Sequence, residues 1–477
     1  MHWAFDNTYA RELPWLGAAM APVPVREPRL LFLNRPLAVE LGLDPSWFLT
    51  EEGAAVLAGS AVPEGAEPIA QAYAGHQFGQ FSPRLGDGRA HLLGEVVDSE
   101  GRRRDIALKG SGRTVFSRGG DGRAAIGPVL REVIVSEAMA ALGVPTTRAL
   151  AAAETGEQVW RDTGPERGAV LTRVAASHLR VGTLELVRTQ GSLEQLRALV
   201  DYVRERHDPH LEPGDIWGLF DTIAGRQAEL VAQWMSLGFI HGVMNTDNMA
   251  LSGETIDYGP CAFVDRFDPD TVYSSIDTAG RYRYSSQPAI TGWNLARLAE
   301  SLLPLVPGEP DEAVAKATER VNGFAGRYAA AYRSRMAAKL GLGEQIGDVE
   351  LDRIVGALLE AMRRESLDYT GTFRALARSL RGAEPPAGLE DWVDAWRPFV
   401  AEPEATATRM DAVNPAYIPR NHLVEEALDA ARQGDLKPFE RLVEVLRSPF
   451  VERPEWDRYA QPAPERFAAT YVTFCGT

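Results

Sequence analysis

Strand-like and helix-like patterning occupy different parts of this chain, and that separation constrains the fold more than any single motif. From Pro68 to Gly112 the chain reads as an antiparallel meander: an aromatic, glycine-rich segment, the turn Gly86-Asp87-Gly88-Arg89, the apolar run Leu92 to Val97, a turn at Asp98 to Gly101, and a strand reaching Lys109. Gly127-Pro128 then opens a helix over Val129 to Leu142, with Leu130, Val133, Ile134, Ala138 and Ala141 on one face, and Gly143 and Pro145 close it. Beyond residue 180 helices dominate. Ser192 and Gln195 form a capping-box pattern for a helix to about His207, and a second amphipathic helix runs from about Trp217 to Leu237. Residues 238–265 interrupt them with short apolar runs, Phe239-Ile240 and Met249-Ala250-Leu251, set among polar residues. Strands first and helices afterwards predict an α+β fold.

Four regions follow. Residues 1–67, with a short helical stretch around Pro36 to Gly42, read as an N-terminal extension wrapping the core. Residues 68–175 form a strand-rich lobe, 176–381 a helical lobe, and 382–477 a C-terminal helical segment entered through the Pro-, Ala- and Gly-rich stretch Gly382 to Gly388. Fifty Lys and Arg against 66 Asp and Glu leave a formal charge of −16, which argues against a broad nucleic-acid or anionic-membrane surface. No apolar run approaches the roughly 20 residues of a spanning helix, and Met1 to Pro14 has no signal-peptide pattern, so a cytoplasmic protein is expected. The only cysteines are Cys261 and Cys475, and the eight histidines lack zinc spacing, which excludes a disulfide scaffold and a Cys-based zinc cluster.

Only four of the 50 basic residues are lysine: Lys109, Lys316, Lys339 and Lys437. Lys109 ends the run Asp105-Ile106-Ala107-Leu108-Lys109 and precedes Gly110-Ser111-Gly112, where a strand meets a loop. In a chain that otherwise uses arginine, a compact ammonium at that point suggests a specific need. Three Gly-rich segments surround it: Gly86-Asp87-Gly88-Arg89, Gly110-Ser111-Gly112-Arg113 and Gly119-Gly120-Asp121-Gly122-Arg123. Each is either a hairpin turn or a place where backbone N–H groups and an arginine fork hold phosphate oxygens. Neither a P-loop nor a dinucleotide fingerprint is present.

Downstream, His241-Gly242-Val243-Met244-Asn245-Thr246-Asp247-Asn248 is followed by Asp257-Tyr258-Gly259. Asn and Asp gather in loops for their side-chain turns, but Asn248 and Asp257 are also natural oxygen ligands for Mg²⁺, leaving Asp247 to orient or deprotonate a hydroxyl. Glycine loop, strand lysine, helix glutamate (Glu132), loop ending in Asn, then Asp-x-Gly is the order of the protein kinases, so the α+β fold is expected to be kinase-like and two-lobed. One part differs: the kinase base lies five residues before the Asn, where this chain has Val243.

On these motifs the chain resembles the selenoprotein O family, pseudokinases that transfer AMP rather than phosphate to proteins. The resemblance is carried by Phe5-Asp6-Asn7 and Tyr9, Tyr73-Ala74-Gly75-His76-Gln77-Phe78-Gly79, Leu85 to Arg89, Lys109 to Gly112, Asp121 to Arg123, His241 to Asn248, and Asn414-Pro415 with Ile418-Pro419-Arg420-Asn421. It implies ATP bound in the reverse sense, with the α-phosphate toward the acceptor. It places the nucleotide on Gly86, Gly88, Arg89, Lys109, Asp121, Gly122, Arg173 and Arg180, with Glu132 pairing the lysine. It makes Asp247 the proton acceptor and Asn248 and Asp257 the ligands of Mg²⁺ or Mn²⁺. Acceptors are protein Ser, Thr or Tyr hydroxyls, redox proteins among them. The family carries selenocysteine or cysteine near the C-terminus, where Cys475 stands, and Cys261 is the only possible disulfide partner for it. UMP transfer from UTP, conventional phosphotransfer and an inactive nucleotide-binding scaffold are the alternative readings.

Overall fold

A computed structural model describes residues 3–161, 164–343 and 346–474. Cys475 lies outside the described residues. The N-terminal segment carries helices α1 (Thr8–Glu12), α2 (Arg35–Glu40) and α3 (Glu51–Leu57) and strands β1 (Gly17–Ala19) and β2 (Arg29–Leu33). Then come β3 (Ile69–Gln71), β4 (Gly75–Gln77), β5 (Gln80–Ser82), β6 (Ala90–Val97), β7 (Arg103–Lys109), β8 (Ala124–Ala125), helix α4 (Ile126–Ala141), β9 (Arg148–Arg161) and β10 (Gly164–Ala175). The main sheet has the order β1-β3-β6-β7-β10-β9-β2, with β8 beside β10 and each pairing antiparallel.

The expected meander therefore survives as β3-β6-β7, while β4 and β5 leave it as a separate hairpin. Residues 1–67 also do more than wrap: β1 and β2 form the two edges of the sheet. Strand β9 contains Ala149, Ala151, Ala152 and Ala153, all fully buried. Alanine favours helix in isolation, but here both faces of the strand are covered. Ala149 and Ala152 pack with α4, and Leu150, Ala151 and Ala153 pack with α2 and α3. Small side chains let both layers approach closely.

The helical remainder comprises α5 (Val181–Gln190), α6 (Leu193–His207), α7 (Ile216–Leu237), the strand pair β11 (Phe239–Ile240) and β12 (Ala262–Phe263), α8 (Gln287–Leu302), α9 (Pro310–Lys339), α10 (Asp348–Arg364), α11 (Tyr369–Leu380), α12 (Glu390–Trp396), α13 (Pro403–Val413), α14 (Asn421–Arg432) and α15 (Lys437–Leu446). The capping box forms as expected: Ser192 accepts from the Gln195 N–H and Gln195 from the Ser192 N–H. Helices α14 and α15 pack on α4, the helix that carries Glu132. Just ahead of α14, Arg420 is buried between Asp265 (2.8 Å) and Asp368 (2.6 Å), and the Asn421 side chain bonds both backbone groups of Phe263. The C-terminal segment thus grips the chain just past Asp257. No helix among the described residues is long and apolar enough to cross a membrane.

Candidate active site

The site begins at the end of β7. Alternation along a strand puts Lys109 on the face of Ala107, and the pairing of β7 with β10 sets Arg173 opposite Ala107, so both cations leave the sheet on one side. Helix α4 crosses that side and presents Glu132, which is 4% exposed. Lys109 Nζ donates to Glu132 Oε2 at 2.6 Å and to Asp257 Oδ1 at 2.7 Å. Arg173 donates to Asp257 Oδ1 at 2.6 Å and to Glu132 Oε1 at 3.2 Å. Arg180, at the start of α5, donates to Asp257 Oδ2 at 3.0 Å and to the Asp247 carbonyl at 2.8 Å, with its guanidinium 4.4 Å over the Tyr73 ring. Arg173 and Arg180 are 3% and 2% exposed, although arginine is ordinarily a surface residue.

Three cations therefore share one carboxylate. Burial alone would raise the Asp257 pKa, but Lys109, Arg173 and Arg180 outweigh it and hold the carboxyl well below the usual range. Asp257 sits at φ 62°, a left-handed conformation that Asp tolerates better than most residues. Arg180 also faces Asp87, whose Oδ1 lies 3.9 Å from it.

A short turn, Thr246–Asn248, supplies the second half of the site. The hairpin of β4 and β5 lies against it and against α5. Gln77 Nε2 donates to Asp247 Oδ2 at 3.3 Å, while the buried Asp247 Oδ1 has no hydrogen-bond partner among the described residues. A Cβ on Gly75 would stand 2.8 Å from that Oδ1, so only glycine permits this approach. Burial pushes the Asp247 carboxyl up to about 6, against the opposing pull of Arg180. Asn248 donates its Nδ2 to the Val243 carbonyl at 3.0 Å, which identifies its amide oxygen as the end available to a cation. Val243 is buried in the helical core.

The glycine segments fold on one another. Gly86 has φ 124°, and a Cβ there would meet the Phe116 ring at 2.6 Å; one on Gly122 would meet the Gly112 carbonyl carbon at 2.2 Å. Thr114 Oγ1 bonds the Asp87 carbonyl at 2.7 Å and Ser117 bonds that of Gly88, which lays loop 110–122 across the 86–89 turn. The Arg89 carbonyl accepts from Gly110 N at 2.7 Å, joining this turn to the loop after Lys109. Asp121 is exposed and engaged with Arg161 at 2.8 Å. Cys261 is buried, and burial pushes its thiol up to about 12.

The residues fit a hard divalent cation. Asn248 and Asp257 are oxygen donors, and among the described residues no three His, Cys, Asp or Glu side chains gather as an all-protein cage. A Mg²⁺-type ion needs none, because it takes one or two carboxylates together with substrate phosphates and water. Tyr73, Gln77 and the residues behind Arg173 lie beyond what spacing could single out. The only signal for the first two is that both lie in the Tyr73 to Gly79 motif.

Opposed buried charges converging on two loop carboxylates mark a candidate site for chemistry, and the relatives of this chain give its class as an enzyme, a protein nucleotidyltransferase. Residues 18–447 match the family model described as "Protein adenylyltransferase SelO". Similar full-length proteins carry the name "Protein nucleotidyltransferase YdiU". That of Cereibacter sphaeroides is 55% identical over 487 aligned residues, covering 100% of both chains. The Rhodopseudomonas palustris protein is 55% identical with the same coverage, and that of Mycolicibacterium smegmatis is 52% identical over 99% of this chain and 98% of its own. The chain belongs to the SelO family of protein adenylyltransferases.

Proposed function

We propose that the protein transfers AMP from ATP to hydroxyl groups of other proteins, with Asp247 as proton acceptor and Lys109, Arg173 and Arg180 as the cations that hold the polyphosphate. The observation that carries the site assignment is the convergence of those three cations on Asp257 while Arg180 also bonds the Asp247 backbone. Polyphosphate binding and the base are thereby tied to one rigid unit.

In the reaction, the acceptor oxygen attacks the α-phosphorus, the bond from that phosphorus to the α,β-bridging oxygen breaks, and pyrophosphate leaves. Asp247 Oδ1 takes the hydroxyl proton. Gln77 holds the other carboxylate oxygen, so the proton-accepting atom keeps one orientation. Glu132 fixes Lys109 and part of Arg173, and the ammonium and guanidinium groups offset charge developing on the leaving pyrophosphate. Asn248 and Asp257 would hold Mg²⁺ or Mn²⁺, which when bound supplies further neutralisation of phosphate charge. Gly86, Gly88 and Arg89 lie in the turn bonded to the loop after Lys109, Asp121 and Gly122 lie in the loop folded across that turn, and all five are assigned to the nucleotide.

The Lys109–Glu132 pair, together with Asn248 and Asp257 in chain order, supports a protein-kinase-like, two-lobed reading, with the lobes at 68–175 and 176–381. Conventional phosphotransfer is disfavoured because Val243, at the position of the kinase base, is apolar and buried. A cytoplasmic setting and redox proteins among the acceptors complete the proposal and rest on family membership. The test uses ATP labelled at the α- or the γ-phosphate with Mg²⁺ and purified protein. Label entering protein from the α position, and lost in Asp257→Ala, is expected; label from γ alone refutes the proposal.

A further inference from the structure

We infer that His178 is a positioning residue for Arg173, acting as a neutral imidazole that accepts a hydrogen bond from the arginine and thereby aims its terminal nitrogens at the polyphosphate. This rests on the proposed function above for the identity of the ligand, while the geometry stands on its own.

His178 lies in the turn between β10 and α5 and is 3% exposed. Its two ring nitrogens have different partners. Nδ1 is 2.9 Å from Asp105 Oδ2, and Nε2 is 3.1 Å from Arg173 Nε. Arginine Nε carries a hydrogen at every accessible pH and can only donate. His178 Nε2 must therefore accept, which places the imidazole proton on Nδ1, where it is donated to Asp105. One tautomer satisfies both contacts and a doubly protonated ring satisfies only one.

The surroundings hold that tautomer. Asp105 Oδ2 also accepts from the His178 backbone N–H at 2.9 Å, and Asp105 Oδ1 accepts from Arg206 at 2.5 Å. Arg206 in turn faces Glu95 at 3.7 Å, and Glu95 accepts from the Tyr9 N–H and from Tyr202. Arg173 at Nε2, and Arg180, which donates to the His178 carbonyl at 3.3 Å, stand beside this residue as fixed positive charges. Burial and these two arginines oppose a charge on His178, against the pull of Asp105. The outcome is mechanical. With Nε committed to the ring, the guanidinium plane of Arg173 cannot turn, and its NH1 stays on Asp257 and Glu132. The buried line from Tyr9 through Glu95, Arg206 and Asp105 also connects the N-terminal motif around Phe5 to Tyr9 with the site.

Two substitutions separate this role from simple packing. His178→Asn puts an amide at the position of Nδ1, keeping the donor to Asp105 and losing the acceptor for Arg173. His178→Gln carries its oxygen to the position of Nε2 and keeps that acceptor. The readouts are melting temperature, ATP affinity by calorimetry, and kcat and KM with α-labelled ATP. His178→Asn is expected to weaken ATP binding and lower kcat/KM about tenfold or more, the loss of one hydrogen bond to a charged group, with His178→Gln recovering most of it. Wild-type affinity and kcat/KM in His178→Asn overturn the inference. So does an equal loss in both variants with matching falls in melting temperature, which marks a structural role. ATP binding without AMP transfer by the wild type would refute the proposed function, and the Asn-against-Gln affinity comparison would still decide the role of His178.

Discussion

Replacing Asp257 by Asn separates two tasks that the carboxylate combines. As it stands, Asp257 accepts charge-assisted bonds from Lys109 (2.7 Å), Arg173 (2.6 Å) and Arg180 (3.0 Å). A polyphosphate entering the cluster competes with the carboxylate for the same three donors. Asparagine keeps the shape and one acceptor oxygen, but removes the charge and turns an NH₂ group toward one of the cations. Relief of about one charge-assisted contact is worth roughly 1.4 kcal/mol, or tenfold in affinity. Asp257→Asn is therefore expected to bind ATP about tenfold more tightly than wild type in EDTA, read by calorimetric titration. With Mg²⁺ present, AMP transfer should fall by at least about a hundredfold if Asp257 is the proposed metal ligand, because a contact worth several kcal/mol is then lost. Unchanged or weaker metal-free binding would refute the competition argument, and wild-type transfer would refute the ligand assignment.

Four further outcomes are expected. As the proposed base, Asp247 has to be deprotonated, so with its carboxyl pushed up to about 6 the transfer rate should fall as pH drops through about 6 and level off above it, in initial rates between about pH 5 and 8. Gln77→Ala removes a donor to the charged form, so the acid limb moves upward by less than about one pH unit; a downward move would contradict the contact. Arg420→Ala leaves Asp265 and Asp368 facing each other without their shared cation and should cost about 3–5 kcal/mol in calorimetric unfolding, with Arg420→Lys recovering only part because it lacks the fork. Cys261 should resist alkylation at pH 8 in the native protein and react after unfolding, as read by peptide mass spectrometry; native labelling would contradict its burial.

Local chemistry made part of this molecule legible in its sequence. The capping box at Ser192 and Gln195 is in place, and α6 and α7 lie within a residue or so of their expected bounds, with Gly238 at φ 74° ending α7. The Lys109–Glu132 pair is also present as expected. What escaped was decided by distant contacts. The alanine run of β9 has no strand signature, because its conformation is imposed by the layers on both faces. β1 spans only Gly17–Ala19 and β2 Arg29–Leu33, too short for alternation to register, and they become strands by pairing with β3 and β9. Within the site, Gln77 meets Asp247 across 170 positions and Asp105 meets His178 across 73, separations that no spacing rule reaches.

The grip of Arg420 and Asn421 on Asp265 and Phe263 carries a consequence for biosynthesis. A ribosome that has released residues 1–381 has already delivered Lys109, Glu132, Arg173, Arg180, Asp247 and Asp257, yet the segment that pins the chain beyond Asp257 and covers the helix of Glu132 is still to be made. The packing around the site is thus completed only by the last fifth of the chain. A truncated product would carry every reactive side chain and lack the frame that sets them in place.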